Sequence, residues 1–318
     1  MTRKGWLLFI AMSVIWGIPY LFIKIALLEL NPGVVVFARV GIATLVLIPI
    51  AMVQGALQPL RKRWLMIAGL ACVQVVGPFL LISFGEQHIT SSLTSLLIAT
   101  DPILVALLAL RFDPAERVTG LRSVGLLIGI VGVAVLLGFD VGGDEQKLFE
   151  AAMVLLAALG YAISALLIRR PTISALPRLG VVSAMCLTST IVLLPLAVLQ
   201  LPNKIPDAEV IASLLVLGLI CTALAYLIFF ALIAEVGASR GTVITYINPA
   251  VSVLLGVTLL SEPLNAAIII GFLLILLGSW LSTSGVIPLK SLLRTRQQTQ
   301  TSIETEVSIP DTPHQKHK

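Results

Sequence analysis

Asp101 stands about ten residues from either end of an apolar run over 91–110. If that run crosses a bilayer as a helix, a rise of about 1.5 Å per residue puts the carboxyl group about 15 Å deep. A carboxyl group at that depth is costly unless it faces water, a partner or a proton, so Asp101 points to a substrate or coupling-ion site. The plainer alternative is a neutral Asp hydrogen-bonded between helices. Pro102 beside it lacks a backbone donor and loosens the preceding turn, leaving carbonyls to face a cavity. Asn248-Pro249 repeats the order without the charge, and either lines the same cavity or caps a proline kink.

Two cations, Lys24 and Arg39, fall about 6–8 Å inside their apolar runs. Either their long stems snorkel to the headgroups, or they form a cationic vestibule balanced by Glu29 or Glu86. Such a vestibule would pair with an anionic substrate group or lock one gate. Trp16 lies mid-run next to Gly17 and Pro19, which thin or bend a helix, so its indole is expected against a cavity, with Tyr20 one turn on. Gln74, Tyr161 and Ser164 are further midspan polar groups, as are Tyr226 and Tyr246. Pocket lining and interhelical hydrogen bonding account for them equally well.

Catalytic patterns are missing. There is no HExxH, Walker A or GxSxG, and the three histidines are His88 in a loop and His314 and His317 in the tail. Neither an embedded enzyme nor direct ATP hydrolysis is expected, and no cofactor or metal is implied. Cys72, Cys186 and Cys221 sit in apolar runs without metal or redox spacing and read as small packers. The net charge of +5 does not point to nucleic acid, because the basic residues lie in short loops and the tail.

The elements that position these residues follow from composition. The chain has 318 residues, 58% hydrophobic and 12% charged, with a mean hydropathy of +1.05, which excludes most water-soluble folds. Apolar runs lie near 6–28, 33–53, 64–84, 91–110, 121–139, 149–168, 179–199, 210–233, 241–260 and 266–285, each long enough to span a bilayer. The first follows Arg3 and Lys4 like a signal peptide, but it is too long and has no small-residue cleavage site, so it reads as a retained helix. Residues 286–318 turn abruptly polar and read as a disordered tail. With the N-terminus in the cytoplasm, seventeen Lys and Arg fall in inner segments and two, Lys147 and Lys204, in outer ones, so both termini are expected inside. Trp6, Trp64 and Trp280 then lie near the inner headgroups.

The two halves repeat. Laying Pro102 over Pro249 puts Ser92 on Ser239 and Asp101 on Asn248; a one-residue gap then aligns Glu116 with Glu262, Gly125 with Gly271 and Gly132 with Gly278. Trp16 falls on Tyr161 and Lys24 on Arg169, which reads either as an inner-gate cation or as a positive-inside anchor. Five spans per copy make the second copy inverted, the arrangement of many secondary transporters. Glu116 and Glu262 near helix starts suit the dipoles of those helices. The glycine pairs suit close helix packing.

Ile15-Trp16-Gly17 with Lys24, Asn31-Pro32 with Arg39, Pro102 with Glu116, Gly125 and Gly132, and Pro249 with Glu262-Pro263, Gly271 and Gly278 resemble the EamA family of the drug/metabolite transporter superfamily over residues 5–285. Asn248 departs from the Glu that the family often carries there. The resemblance implies an all-α polytopic membrane protein of ten transmembrane helices as two inverted five-helix repeats. Residues 1–145 and 146–285 would be the repeats, and 286–318 a cytoplasmic tail. Helices 1, 3, 4, 6, 8 and 9 would line a central cavity, with 5 and 10 outside. The implied role is a secondary carrier in the bacterial inner membrane, exporting small metabolites such as amino acids by alternating access, with protons as a candidate coupling ion. An importer or a proton-independent exchanger is the close alternative, and a non-transporting scaffold or sensor the distant one. The expected partners are a small-molecule substrate and the lipid bilayer, with no nucleic acid.

Overall fold

Inside a bilayer each backbone N–H and C=O has to find its partner within the protein, and the computed structural model of this chain meets that demand with helices. It describes residues 2–112, 120–138, 143–237 and 244–284. Seven helical stretches among them are long and apolar enough to cross a membrane: Arg3–Ala26, Pro32–Val53, Trp64–Gly85, Ser91–Ala109, Glu145–Ile168, Arg178–Leu199 and Ala208–Val236. Three shorter apolar helices, Leu121–Leu136, Ile244–Leu259 and Ala266–Ser282, border residues outside the described set. Large apolar side chains cover the outside, with Leu7 70%, Leu45 77% and Val53 89% exposed. Water would not tolerate that surface; acyl chains match it. This is a multi-pass membrane protein.

In chain order the helices are α1 (Arg3–Ile15), α2 (Pro19–Ala26), α3 (Pro32–Val53), α4 (Trp64–Ala71), α5 (Gly77–Gly85), α6 (Ser91–Ile98), α7 (Asp101–Phe112), α8 (Gly120–Leu136) and α9 (Glu145–Ile168). Then follow α10 (Pro171–Ser174), α11 (Arg178–Leu199), α12 (Ala208–Leu215), α13 (Ala225–Val236), α14 (Ile244–Leu259) and α15 (Ala266–Ser284). The described residues up to Thr283 form one compact unit.

Helices from the two halves of the chain interleave. The pair α3 and α11 packs along its length, as do α6 and α14; α1 lies on α13, and α5 on α9. At the crossing of α8 and α15, Gly125 faces Gly278 and Ser282, while Gly132 faces Leu274 and Ile275. A Cβ on Gly278 would stand 2.5 Å from the Gly129 nitrogen and 2.6 Å from its Cα, so only a hydrogen side chain permits this approach. The sequence expectation of close packing at these glycine pairs therefore holds.

Several membrane stretches are irregular. Between α1 and α2 the helix breaks at Trp16–Ile18, where Pro19 begins the next segment. Between α6 and α7 it breaks at Ala99–Thr100: Pro102 cannot donate to a preceding carbonyl, and the Thr100 hydroxyl turns back to the Leu97 carbonyl at 2.6 Å. Two π-helical segments, Cys72–Val76 and Val216–Leu224, join α4 to α5 and α12 to α13. Such non-standard turns inside membrane helices are stable only where protein or a wet cavity covers them.

The bundle has two ends. The near end carries the start of α1, where Thr2 and Lys4 meet Glu235 at 2.7 Å and 3.7 Å. It also carries the contact of Arg63 with the Thr172 carbonyl. Trp6, Trp64 and Trp280 lie toward this end, each more than half exposed. Among the described residues the far end is tied more densely. There the Gln200 side chain accepts from the Gly33 nitrogen at 2.8 Å, and Glu29 accepts from the Asp207 nitrogen at 3.0 Å. Glu262 was expected to serve the helix that it precedes. Instead it reaches across to α6, accepting from the backbone nitrogens of Ser91 (2.7 Å) and Ser92 (3.0 Å). The reason is geometric: the 260–265 loop ends beside α6, whose first N–H groups have no partner of their own in the helix. Glu116, Ser239 and the tail lie outside the described residues.

Candidate substrate cavity

The broken and π-helical segments converge on one cavity of about 340 Å³, within the range of small-molecule sites. Trp16 and Tyr20 enter its wall from either side of the α1–α2 break, and Asp101 and Pro102 from the start of α7. Arg39 comes from α3, Gln74 from the first π segment, Tyr161 and Ser164 from α9, Tyr226 from α13, and Asn248 and Pro249 from α14.

Arg39 does not snorkel. It is 8% exposed, seven residues into α3. Its Nε donates to Thr222 Oγ1 at 3.0 Å, and its guanidinium carbon lies 4.0 Å from the Phe79 ring centroid. That stacking holds the cation without using its terminal N–H groups. A fork of donors is left facing the cavity.

Asp101 supplies the opposite charge. It opens α7, where the helix dipole favours a carboxylate, yet its Oδ1 is buried with no hydrogen-bond partner, and so is Oε1 of Gln74. Buried polar atoms are nearly always paired in folded proteins, so two unpaired acceptors among the cavity-lining residues are unusual. Asn248 is better satisfied: its side-chain amide nitrogen donates to the Ile244 carbonyl at 2.9 Å and the Ser13 carbonyl at 3.0 Å, tying α14 to α1.

Aromatic rings form a third wall. Trp16 sits 4.8 Å from Phe229 between centroids and 6.3 Å from Tyr226, edge-on to the latter. The Ser164 hydroxyl donates to the Tyr161 carbonyl at 2.8 Å, so its proton is taken within its own helix.

Two residues expected at the site lie elsewhere. Tyr246 points from α14 to the Ser279 carbonyl at 3.5 Å, a link between helices. Lys24 reaches the far end, where its ammonium donates to the carbonyls of Glu86 (2.6 Å) and Ile89 (2.8 Å). Arg169 is exposed at the near end, as an anchoring cation would be. Phe79, Thr222 and Phe229 line the cavity and carried no signal of their own in the sequence. Cys221 did carry one, because the offset that lays Pro102 on Pro249 also lays Gln74 on Cys221.

The cavity is not centred between the two ends. Toward the near end its lining reaches Ile168, the last residue of α9, and Thr245, the second of α14. Toward the far end it stops at Ile23, Ile82 and Ser95, about one turn short of the helix ends. Among the described residues no group of three or more His, Cys, Asp or Glu is placed to hold a metal ion.

Comparison with known proteins agrees with this architecture. The EamA-like transporter family matches the chain twice, over residues 3–138 and 148–284. An uncharacterized transporter of Archaeoglobus fulgidus is 27% identical over 87% of this chain and 98% of its own length. The uncharacterized transporter YoaV of Bacillus subtilis is 24% identical, covering 86% and 94% respectively. The uncharacterized inner membrane transporter YedA of Escherichia coli is 24% identical over 85% and 90%. A crystal structure 20% identical in sequence, covering 89% of this chain and 97% of its own, shares the fold with a TM-score of 0.64.

Proposed function

The chain belongs to the EamA-like transporter family, and from that premise we propose that it is a membrane transporter that exports small zwitterionic metabolites of amino-acid size by alternating access. One observation carries the reading. A buried guanidinium, Arg39, and a half-buried carboxyl group, Asp101, whose Oδ1 has no hydrogen-bond partner, line the same aromatic-walled cavity of about 340 Å³. A substrate carboxylate fits the Arg39 fork, and a substrate ammonium fits the Asp101 carboxylate. The Trp16 and Tyr226 rings accommodate an apolar side chain. Without ammonium bound, Asp101 is also placed to hold a proton, which makes it the candidate coupling group.

Alternating access rests on the reading of 1–145 and 146–285 as inverted five-helix repeats, ten spans in all. Helix pairing supports it: α3 with α11 and α6 with α14 each join elements in equivalent positions of the two halves, and the α1–α13 pairing mirrors α9–α5. The π segments also fall at equivalent positions under the alignment of Pro102 with Pro249. The Lys and Arg bias supports an orientation in a bacterial inner membrane with the near end and both termini on the cytoplasmic side. The cavity then approaches the cytoplasm, and the far end is the closed periplasmic gate.

Proteoliposomes test the proposal. Counterflow of radiolabelled amino acids is expected with the parent chain and lost with Asp101→Asn or Arg39→Gln, each still inserted and folded. Flux in both directions, with and without a pH gradient, separates export from import and from proton-independent exchange. Absence of ligand-induced thermal stabilisation across amino acids, sugars and organic cations would leave a scaffold or sensor instead.

A further inference from the structure

At the far end, the loop joining α5 to α6 is held at both of its shoulders. Lys24, at the end of α2, donates to the carbonyls of Glu86 and Ile89, beyond the last turn of α5. Glu262, from the loop before α15, accepts from the N–H groups that open α6. A cation on the carbonyl end of one helix and an anion on the amide end of the next each complement the local dipole. Between these two clamps lies the Glu86 side chain, 0% exposed, with neither carboxyl oxygen in a hydrogen bond.

We propose that Glu86 is a proton-binding site of the far-end gate: it holds a proton while the gate is closed, and its ionisation releases the Lys24 clamp. The proposal rests on the alternating-access reading above, and adds to it a titrating group outside the substrate cavity. The argument is one of satisfaction. An ionised carboxylate with neither a donor nor solvent is strongly disfavoured, as any buried unpaired ion is. The closed packing therefore accommodates the neutral acid. Once the proton leaves, the carboxylate needs either water, which opens the gate, or the Lys24 ammonium, which must then leave the carbonyls of Glu86 and Ile89. Both routes loosen the same loop.

The groups that face Glu86 decide the sign. Tyr20 and Lys24 approach from α2, Arg39 from α3 and Glu262 from the 260–265 loop, while Glu150 on α9 stands next to the chain at Gly85 and pairs with His88. Burial pushes the Glu86 carboxyl group well above the usual carboxylate range; Lys24 and Arg39 oppose that shift, and Glu262 adds to it. A group whose affinity for protons is raised in the closed state favours closure while it is protonated. It withdraws that support as pH rises through the raised value. Acid on the far side closes the gate, and alkali opens it.

The test is accessibility of the cavity from the far side. In the full chain with Cys72, Cys186 and Cys221 replaced by Ala, Ser95→Cys places a thiol on the cavity wall one turn below the gate. Right-side-out vesicles are treated with a membrane-impermeant maleimide between pH 5.5 and 8.5, roughly bracketing a raised carboxyl group. Labelling is normalised to a separate Leu28→Cys reporter, at an exposed far-end residue, to remove the pH dependence of the thiol itself. The expected result is normalised labelling that rises about tenfold with pH, the ratio for a one-unit difference in proton affinity between the two gate states. Glu86→Gln, the neutral isostere, is expected to label slowly at every pH and to melt no lower than the parent. Lys24→Gln is expected to label fast at every pH. A pH rise that survives in Glu86→Gln overturns the proposal, as does pH-independent labelling of the parent. No labelling of parent or Lys24→Gln at any pH overturns the alternating-access reading and this proposal with it.

Discussion

Glu262 and Ser92, 170 residues apart, are joined twice: the carboxylate accepts from the Ser92 backbone nitrogen at 3.0 Å and from its hydroxyl at 2.5 Å. The contact needs Gly256, since a Cβ there would collide with the Glu262 carboxylate and the Ser92 hydroxyl. Thr90 still caps Leu93 in Glu262→Ala, but the Ser91 and Ser92 N–H groups lose their acceptor, at an expected cost of about 1–3 kcal/mol. Ser92→Ala keeps both backbone bonds and should cost less. Thermal unfolding of the detergent-purified variants orders them; melting temperatures equal to the parent's would show that the Glu262 bonds contribute nothing.

Arg39 offers a sharper discrimination than simple loss of charge. Arg39→Lys keeps the cation but gives up the planar fork stacked on Phe79 and anchored by Thr222. Substrate affinity is expected to fall by about tenfold or more, because a bidentate pair becomes a point contact. Equilibrium binding of an identified substrate measures it, and an unchanged affinity would place the carboxylate site elsewhere.

Trp16 presents its ring to the cavity beside Phe229 and Tyr226. Trp16→Ala removes an aromatic contact worth about 1–1.5 kcal/mol beyond area, so substrates with apolar side chains should lose roughly tenfold in affinity. Glycine-sized substrates should lose little. The same loss for both would point to a collapsed cavity instead of a missing wall.

The α8–α15 crossing tolerates no side chain at Gly278. Gly278→Leu is expected to lower the yield of folded protein in the membrane. Gly69→Ala, whose Cβ would meet nothing within 4 Å, should be neutral or gain up to about 1 kcal/mol from helix propensity. Fluorescence-detected size-exclusion profiles and melting temperatures of the two variants provide the comparison.

Much of the membrane architecture was legible because hydrocarbon imposes one rule on every residue of a span, so apolar runs mark helices directly. Asp101-Pro102 stood out for the same reason, a charge and a missing donor where neither is free of cost. Partnership across the fold was not legible. Glu262 precedes α15 in sequence but serves α6 in space, and local dipole reasoning sees only the nearest helix. The sequence leaves Lys24 either snorkelling to the headgroups or serving as a vestibule or gate cation, and its actual partners are backbone carbonyls, which every sequence contains. Thr222 and Phe79 become meaningful only beside Arg39, a neighbourhood created by packing.

The two π segments give the cavity walls a rotational adjustability. Each carries a wider turn than the α-helix around it, so deleting one residue from Cys72–Val76 or Val216–Leu224 would swing everything beyond it by about 100° about the helix axis. Gln74 sits in one of these segments and Cys221 in the other, so the winding of each sets which side chain is presented to the hollow. Related sequences that shift a π segment by a single position would thus present a different chemistry to their cargo with the surrounding scaffold unaltered.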